Sequence, residues 1–148
     1  MTIKRTLVHS AALLALMFTS AAAFADEHPY SEGPVVNVSR IRTVDGHFED
    51  YMKFVATTWK QEQEFAKKAG DVLSYEVLTV EPRGPDDADI ILVVYFKNWA
   101  ALDGSIAKGD ALLKAVSGSV ASADKAEADR ASIRRVLGSS TMQVLKLK

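Results

Sequence analysis

The run IILVVYF, residues 90–96, constrains this chain more than any other stretch. Seven consecutive residues carry no charge, and most are β-branched or aromatic. The run is too short for a core helix and is bounded by turn chemistry, so it reads as a strand. Strand side chains alternate between faces, so a strand apolar at every position needs cover on both. The preceding PRGPDDAD, residues 82–89, is a turn, and DVLSYEVLTVEP, residues 71–82, reads as the strand before it. Two strands joined by so short a connection make a hairpin.

The remaining elements fall around that hairpin. VVNVSRIRT, residues 35–43, is rich in β-branched residues and predicts the first strand, preceded by a loose polar arm over 26–34. After it, Phe48, Tyr51, Met52, Val55, Trp59, Ala66 and Ala69 recur at helical steps, with Asp45 placed to cap the start and Gly70 to end the helix. Asn98 is placed to cap a second helical region from Trp99 to Leu137, which Gly104, Gly109 and Gly118 divide into two or three pieces. Its last piece, about Ala123 to Leu137, has acids early and Arg130, Arg134 and Arg135 late, as the helix dipole favours. Gly138 then ends it, and residues 140–148 form the last strand. The order β-α-β-β-α-β predicts an α+β, ferredoxin-like fold: an antiparallel sheet with helices on one face, here over residues 35–148. The other face is left apolar and open. Burying a few hundred Å2 of it, at about 25 cal/mol per Å2, favours pairing of two copies.

Residues 1–25 are laid out as a cleaved secretory signal peptide: Lys4 and Arg5, an apolar stretch from Leu7 to Phe18, then small residues. Two small-x-small sites fit, Ala23-Phe24-Ala25 and Ala21-Ala22-Ala23. The polar run after Ala25 favours cleavage before Asp26. Polar residues such as His9 and Ser10 dilute the stretch against a permanent anchor, so stable membrane insertion after cleavage is not expected. The expected location is exported, periplasmic or secreted.

The chain has no cysteine, which excludes disulfides, a thiol nucleophile and thiolate metal sites. Removing residues 1–25 takes away two bases and no acid, so the net charge moves from −1 to −3. Such a chain has no general attraction for nucleic acid. PDDAD, residues 85–89, lacks the glycine and distal glutamate of a calcium loop, so Asp86, Asp87 and Asp89 read as a solvated turn.

The element order, the stretch VDGHFEDYMKF and the aromatic YFKNWAAL after the third strand resemble the dimeric α/β-barrel superfamily. That group includes NIPSNAP-like and antibiotic-biosynthesis-monooxygenase-like small proteins. The resemblance implies that two ferredoxin-like subunits pair their sheets into a barrel, covering the open face. It assigns no catalytic residue to this chain.

The candidate ligand-binding residues are Arg40, His47, Tyr75 and Tyr95. His47 begins the first helix, where it is either a proton acceptor at a pocket mouth or a solvent-facing residue. Arg40, Tyr75 and Tyr95 lie in strands, where a few polar groups among apolar walls make a small-molecule pocket. The alternative is half-buried packing or edge positions. Trp59 and Trp99 read as core, and the three late arginines as a helix-end charge pattern.

Cleavage before Asp26 would begin the mature chain Asp26-Glu27-His28. A terminal amine, two backbone amides and an imidazole then form a square-planar nitrogen set that suits adventitious Cu(II) or Ni(II). No other cofactor is expected. Three functions fit these features: an exported homodimer that binds a small apolar or aromatic molecule, a cofactor-independent monooxygenase-like enzyme, and a ligand-free interaction module.

Overall fold

The computed structural model describes residues 28–148. The expected signal peptide, and Asp26 and Glu27 of the terminal metal set, lie outside the described residues. The elements are β1 (Tyr30–Thr43), α1 (Phe48–Phe54), a π-helical segment (Val55–Trp59), α2 (Lys60–Lys68), β2 (Val72–Thr79), β3 (Ile90–Phe96), a 3-10 turn (Trp99–Leu102), α3 (Ile106–Ser117), α4 (Val120–Arg130) and β4 (Arg134–Leu147). The four strands form one sheet in the order β2-β3-β1-β4, with every neighbouring pair antiparallel. This is the ferredoxin-like fold expected from the sequence.

The apolar run that became β3 lies inside the sheet, between β1 and β2. Ile90, Leu92 and Val94 face the helices and join Ile41, Val72, Tyr51, Val55 and Trp59 in one core. Val93, on the opposite face, is also buried. The open face carries Val36, Val38 and Arg40 of β1 beside Tyr95, Val93 and Ile91 of β3, in register. Leu78 and Met142 are about half exposed.

The helix that follows β1 starts at Phe48, later than Asp45 would place it. Its N-cap is His47, without a side-chain capping bond, and Asp45 sits 3.9 Å from Arg42 instead. At the far end, Gly70 takes φ +82°, the left-handed turn expected of a helix-terminating glycine. Asn98 caps as expected, its side-chain oxygen accepting from the Ala101 amide at 3.0 Å. The helical region after it comes in three pieces.

Three boundaries differ from expectation. The first strand begins at Tyr30, because residues 30–32 of the expected arm pair with β4, Tyr30 opposite Leu147. Gly33 and Pro34 fall in the register shift between Glu32 and Val35, where a proline costs the ladder no hydrogen bond. The last strand begins at Arg134, so Arg134 and Arg135 belong to β4 and the final helix stops at Arg130. Gly138 does not end a helix. It adopts φ +141° inside β4, at the shift where Arg40 pairs Gly138 but Ile41 pairs Val136. The expected core residue Trp99 is half exposed, whereas Trp59 is buried.

Asp89 is no solvated turn residue. Its backbone amide donates to the Ile41 carbonyl at 3.0 Å. Its carboxylate accepts from the Thr43 amide at 3.0 and 3.2 Å, and from the Thr43 hydroxyl. The carboxylate thus continues the β1–β3 ladder one step beyond the end of β3. No helix among the described residues is long and apolar enough to cross a membrane.

Candidate functional site

A cleft of about 400 Å3 opens between the helix-facing side of the sheet and the helices. Its floor is Ile41, Leu92 and Val136 from three adjacent strands. One wall is helical and carries Tyr51, Phe54, Thr58, Trp59 and Glu62. The opposite wall comes from α3 and α4 and the start of β4, with Leu113, Glu127, Arg130 and Arg134.

Local structure explains why those side chains meet. The first wall is not a regular helix, because residues 55–59 are π-helical. Such segments are rare and concentrate at functional sites, since one wider turn re-aims the side chains after it. Here it carries Thr58 and Trp59, and Glu62 lies one turn further on. The opposite wall depends on the early end of α4. With Arg130 on the last turn of α4 and Arg134 at the first position of β4, both guanidiniums converge on one carboxylate. Arg130 Nη2 donates to Glu127 Oε2 at 2.5 Å and Arg134 Nη2 to Glu127 Oε1 at 2.7 Å.

The arginines are deeply set for charged groups. Their side chains are 16% and 11% exposed, against 58% for Glu127. Arg130 lies over the Phe54 ring at 4.1 Å, and Arg134 is 5.8 Å from the centre of the Tyr51 ring. The Nε–H of each is buried without an acceptor among the described residues.

The acids of the cleft respond in opposite directions. Burial would raise Glu127, but the hydrogen bonds from Arg130 and Arg134 prevail and hold it below its ordinary value. Burial pushes Glu62 up, opposed by the charge of Arg130 and aided by that of Glu127. Burial also pushes the Tyr51 phenol up, against the pull of Arg134 and Arg130. The cleft therefore combines aromatic walls, an apolar floor, two partly buried cations and a carboxyl group that burial pushes toward its protonated form.

The four residues singled out from the sequence lie elsewhere. Arg40 and Tyr95 are on the open face, Arg40 opposite Ile91 and Tyr95 opposite Val36. His47 is at the start of α1, its Nδ1 3.2 Å from Asp50 Oδ2. Tyr75 packs on the helix side, edge-on to Trp59, and donates to Glu64 Oε1 at 2.6 Å. Only Arg40 and Tyr95 share a face. His28 stacks on Tyr30 with ring centres 5.4 Å apart. Among the described residues no group of three or more His, Cys, Asp or Glu is placed to hold a metal ion.

Sequence reasoning missed Glu62, Glu127, Arg130 and Arg134. One signal was available: Glu127, Arg130 and Arg134 follow one another at three- and four-residue steps, so they share a side if helical. Arg130 lies in the last turn of α4, as the helix-end reading has it, but for Arg134 and Arg135 that reading is corrected by the turn at 131–133, which carries Arg134 into the sheet beside Thr43.

No protein-family model matches the chain, and no curated protein matches its sequence. Among solved structures it is similar in fold to HapK from Hahella chejuensis, with 12% identity over 73% of this chain and 90% of that one, TM-score 0.48. It is also similar to a protein of Shewanella oneidensis, with 12% identity over 79% of this chain and 98% of that one, TM-score 0.47. A third is a dimeric ferredoxin-like protein from an uncultured marine organism, with 14% identity over 78% and 98% of the two chains, TM-score 0.43.

Proposed function

We propose that this protein is an exported homodimer that binds a small aromatic molecule in the cleft between its helices and its sheet. The single observation that carries the reading is the cleft itself. Its volume of about 400 Å3 falls in the range of small-ligand pockets, and a π-helical segment in its wall presents Trp59. Tyr51, Phe54 and Trp59 offer ring faces, and Ile41 and Leu92 supply an apolar floor.

Pairing through the open sheet face supports the homodimer, because Val38, Ile91, Tyr95 and Met142 lie on that face. In such a pair Arg40 and Tyr95 would face the partner sheet and could line a second ligand surface. Export rests on the layout of residues 1–25, and with cleavage before Asp26 the new terminus would capture Cu(II) or Ni(II) through Asp26, Glu27 and His28.

Native mass spectrometry of the protein from the exported fraction tests these points together. A dimer beginning at Asp26 with a retained organic mass is expected, and Leu113→Trp, which fills the cleft, should lose that mass while remaining dimeric. A bare dimer that also binds no aromatic probe would overturn the cleft reading. A monomer would overturn the pairing.

Glu62 favours a second reading, a cofactor-independent monooxygenase-like enzyme. Burial raises the half-buried Glu62 carboxyl, which makes it a stronger proton acceptor than an ordinary carboxylate for an electron-rich aromatic hydroxyl. Glu62→Gln would then abolish turnover while keeping the bound molecule. Retained turnover would exclude that role.

A further inference from the structure

The charge in the inner wall of the cleft is unbalanced. Two guanidiniums meet a single carboxylate, and that carboxylate is the more exposed partner. Glu127 engages one Nη2 of each arginine. Among the described residues neither Nη1 has a hydrogen-bond partner, and both Nε–H groups are buried without one. A guanidinium carries five N–H donors; the Nη1 groups reach solvent, and the deficit lies in the two buried Nε–H groups. The other acids on the cleft do not restore the balance. Asp124 is exposed to solvent, and Glu62 makes no hydrogen bond to either arginine. Buried donors on partly buried cations are costly to leave without an acceptor, and an anion in the cleft would relieve that cost.

We propose that the molecule bound in the cleft is an aromatic anion, with its carboxylate held by Arg134 and Arg130. The inference rests on the cleft reading above and adds the chemical class of the ligand. Guanidinium groups suit this role because their planar fork matches a carboxylate and their faces pack on rings. Arg130 already lies on Phe54 and Arg134 beside Tyr51, so a planar acid entering over Trp59 would bring its rings to the aromatic wall and its charge to the arginines.

The test compares 2-naphthoate with 2-naphthamide, which share rings and size and differ in charge, by titration calorimetry on the full mature protein. Naphthoate is expected to bind at least about tenfold more tightly. Arg134→Gln and Arg130→Gln should each bring naphthoate close to the amide, and Arg134→Lys should keep part of the preference. Equal affinity of the two probes in the wild-type protein would overturn the inference, while cleft binding itself would stand if Leu113→Trp abolished both. Binding of neither probe would remove the cleft reading and the inference with it. If an arginine variant failed to fold, the wild-type comparison would still decide.

Discussion

Asp89→Ala should be among the most damaging single substitutions outside the apolar core. Thr43 is 6% exposed, and its amide has both Asp89 oxygens as acceptors, at 3.0 and 3.2 Å. The same carboxylate accepts from the Thr43 hydroxyl. Truncation leaves a buried backbone donor without an acceptor, which costs about 1–3 kcal/mol, and removes a charge-assisted bond worth about 1.5–3 kcal/mol. Part of that is returned, because the half-buried carboxylate no longer needs desolvating. A net loss of about 3 kcal/mol follows. With a urea slope of about 2 kcal/mol/M the unfolding midpoint should fall by about 1.5 M. Asp89→Asn keeps an acceptor for the amide and should lose only about 1 kcal/mol. Thr43 pairs with Arg134 across β1 and β4, so Asp89→Ala should also weaken binding of an aromatic probe in the cleft. Urea unfolding followed by tryptophan fluorescence measures the stability term. A midpoint for Asp89→Ala within experimental error of wild type would refute the reasoning, because the carboxylate would then be a dispensable surface group.

Glu127 titrates below its ordinary 4.5 in the folded chain, so the stability it contributes is present above that pH and is lost as the pH falls through the lowered value. Glu127→Gln should remove that part of the acid sensitivity in unfolding curves collected across the acid range. Glu62 behaves oppositely: its raised value means stability declines as the pH rises from 4.5 through it, so Glu62→Gln should flatten that slope and stabilise the protein at neutral pH. The Tyr75 phenol is pushed up by its hydrogen bond to Glu64, and Glu64→Gln should let it ionise at lower pH in an ultraviolet difference titration. Gly33→Val should destabilise by about 1–3 kcal/mol, because a Cβ there would meet the Val144 side chain and carbonyl at 3.1 Å. Thermal unfolding checks this, and an unchanged midpoint would mean that the bulge at Gly33–Pro34 gives way freely. Val38→Arg, on the open sheet face, should shift sedimentation toward the monomer while leaving the helix-side core intact.

Much of this architecture was legible in short-range patterns. The all-apolar run 90–96, the helical spacing from Phe48 to Ala69 and the turn chemistry of 82–89 each report local periodicity, and together they imposed the β-α-β-β-α-β order. Gly70 and Asn98 act where expected, because caps depend on one or two residues and their own backbone.

What failed depended on partners far along the chain. Residues 30–32 look like a loose arm until β4 lies beside them, more than 100 residues later. Asp89 looks like a turn acid until Thr43 arrives 46 residues away in sequence. Gly138 was read as a helix stop because its freedom at positive φ serves a helix end and a bulge equally well, and only its neighbour β1 selects the bulge.

The cleft is the clearest case. By itself, the sequence determined that helices would cover one sheet face and that aromatic residues would line their buried side. Only the tertiary structure decided that α4 stops at Arg130, that the chain turns into β4 with Arg134, and that both cations close on Glu127 beside Tyr51 and Phe54. Local periodicity places a side chain on a face of its own element. Which charges share a low-dielectric space depends on how elements distant in sequence are packed, and that packing carries no local signature.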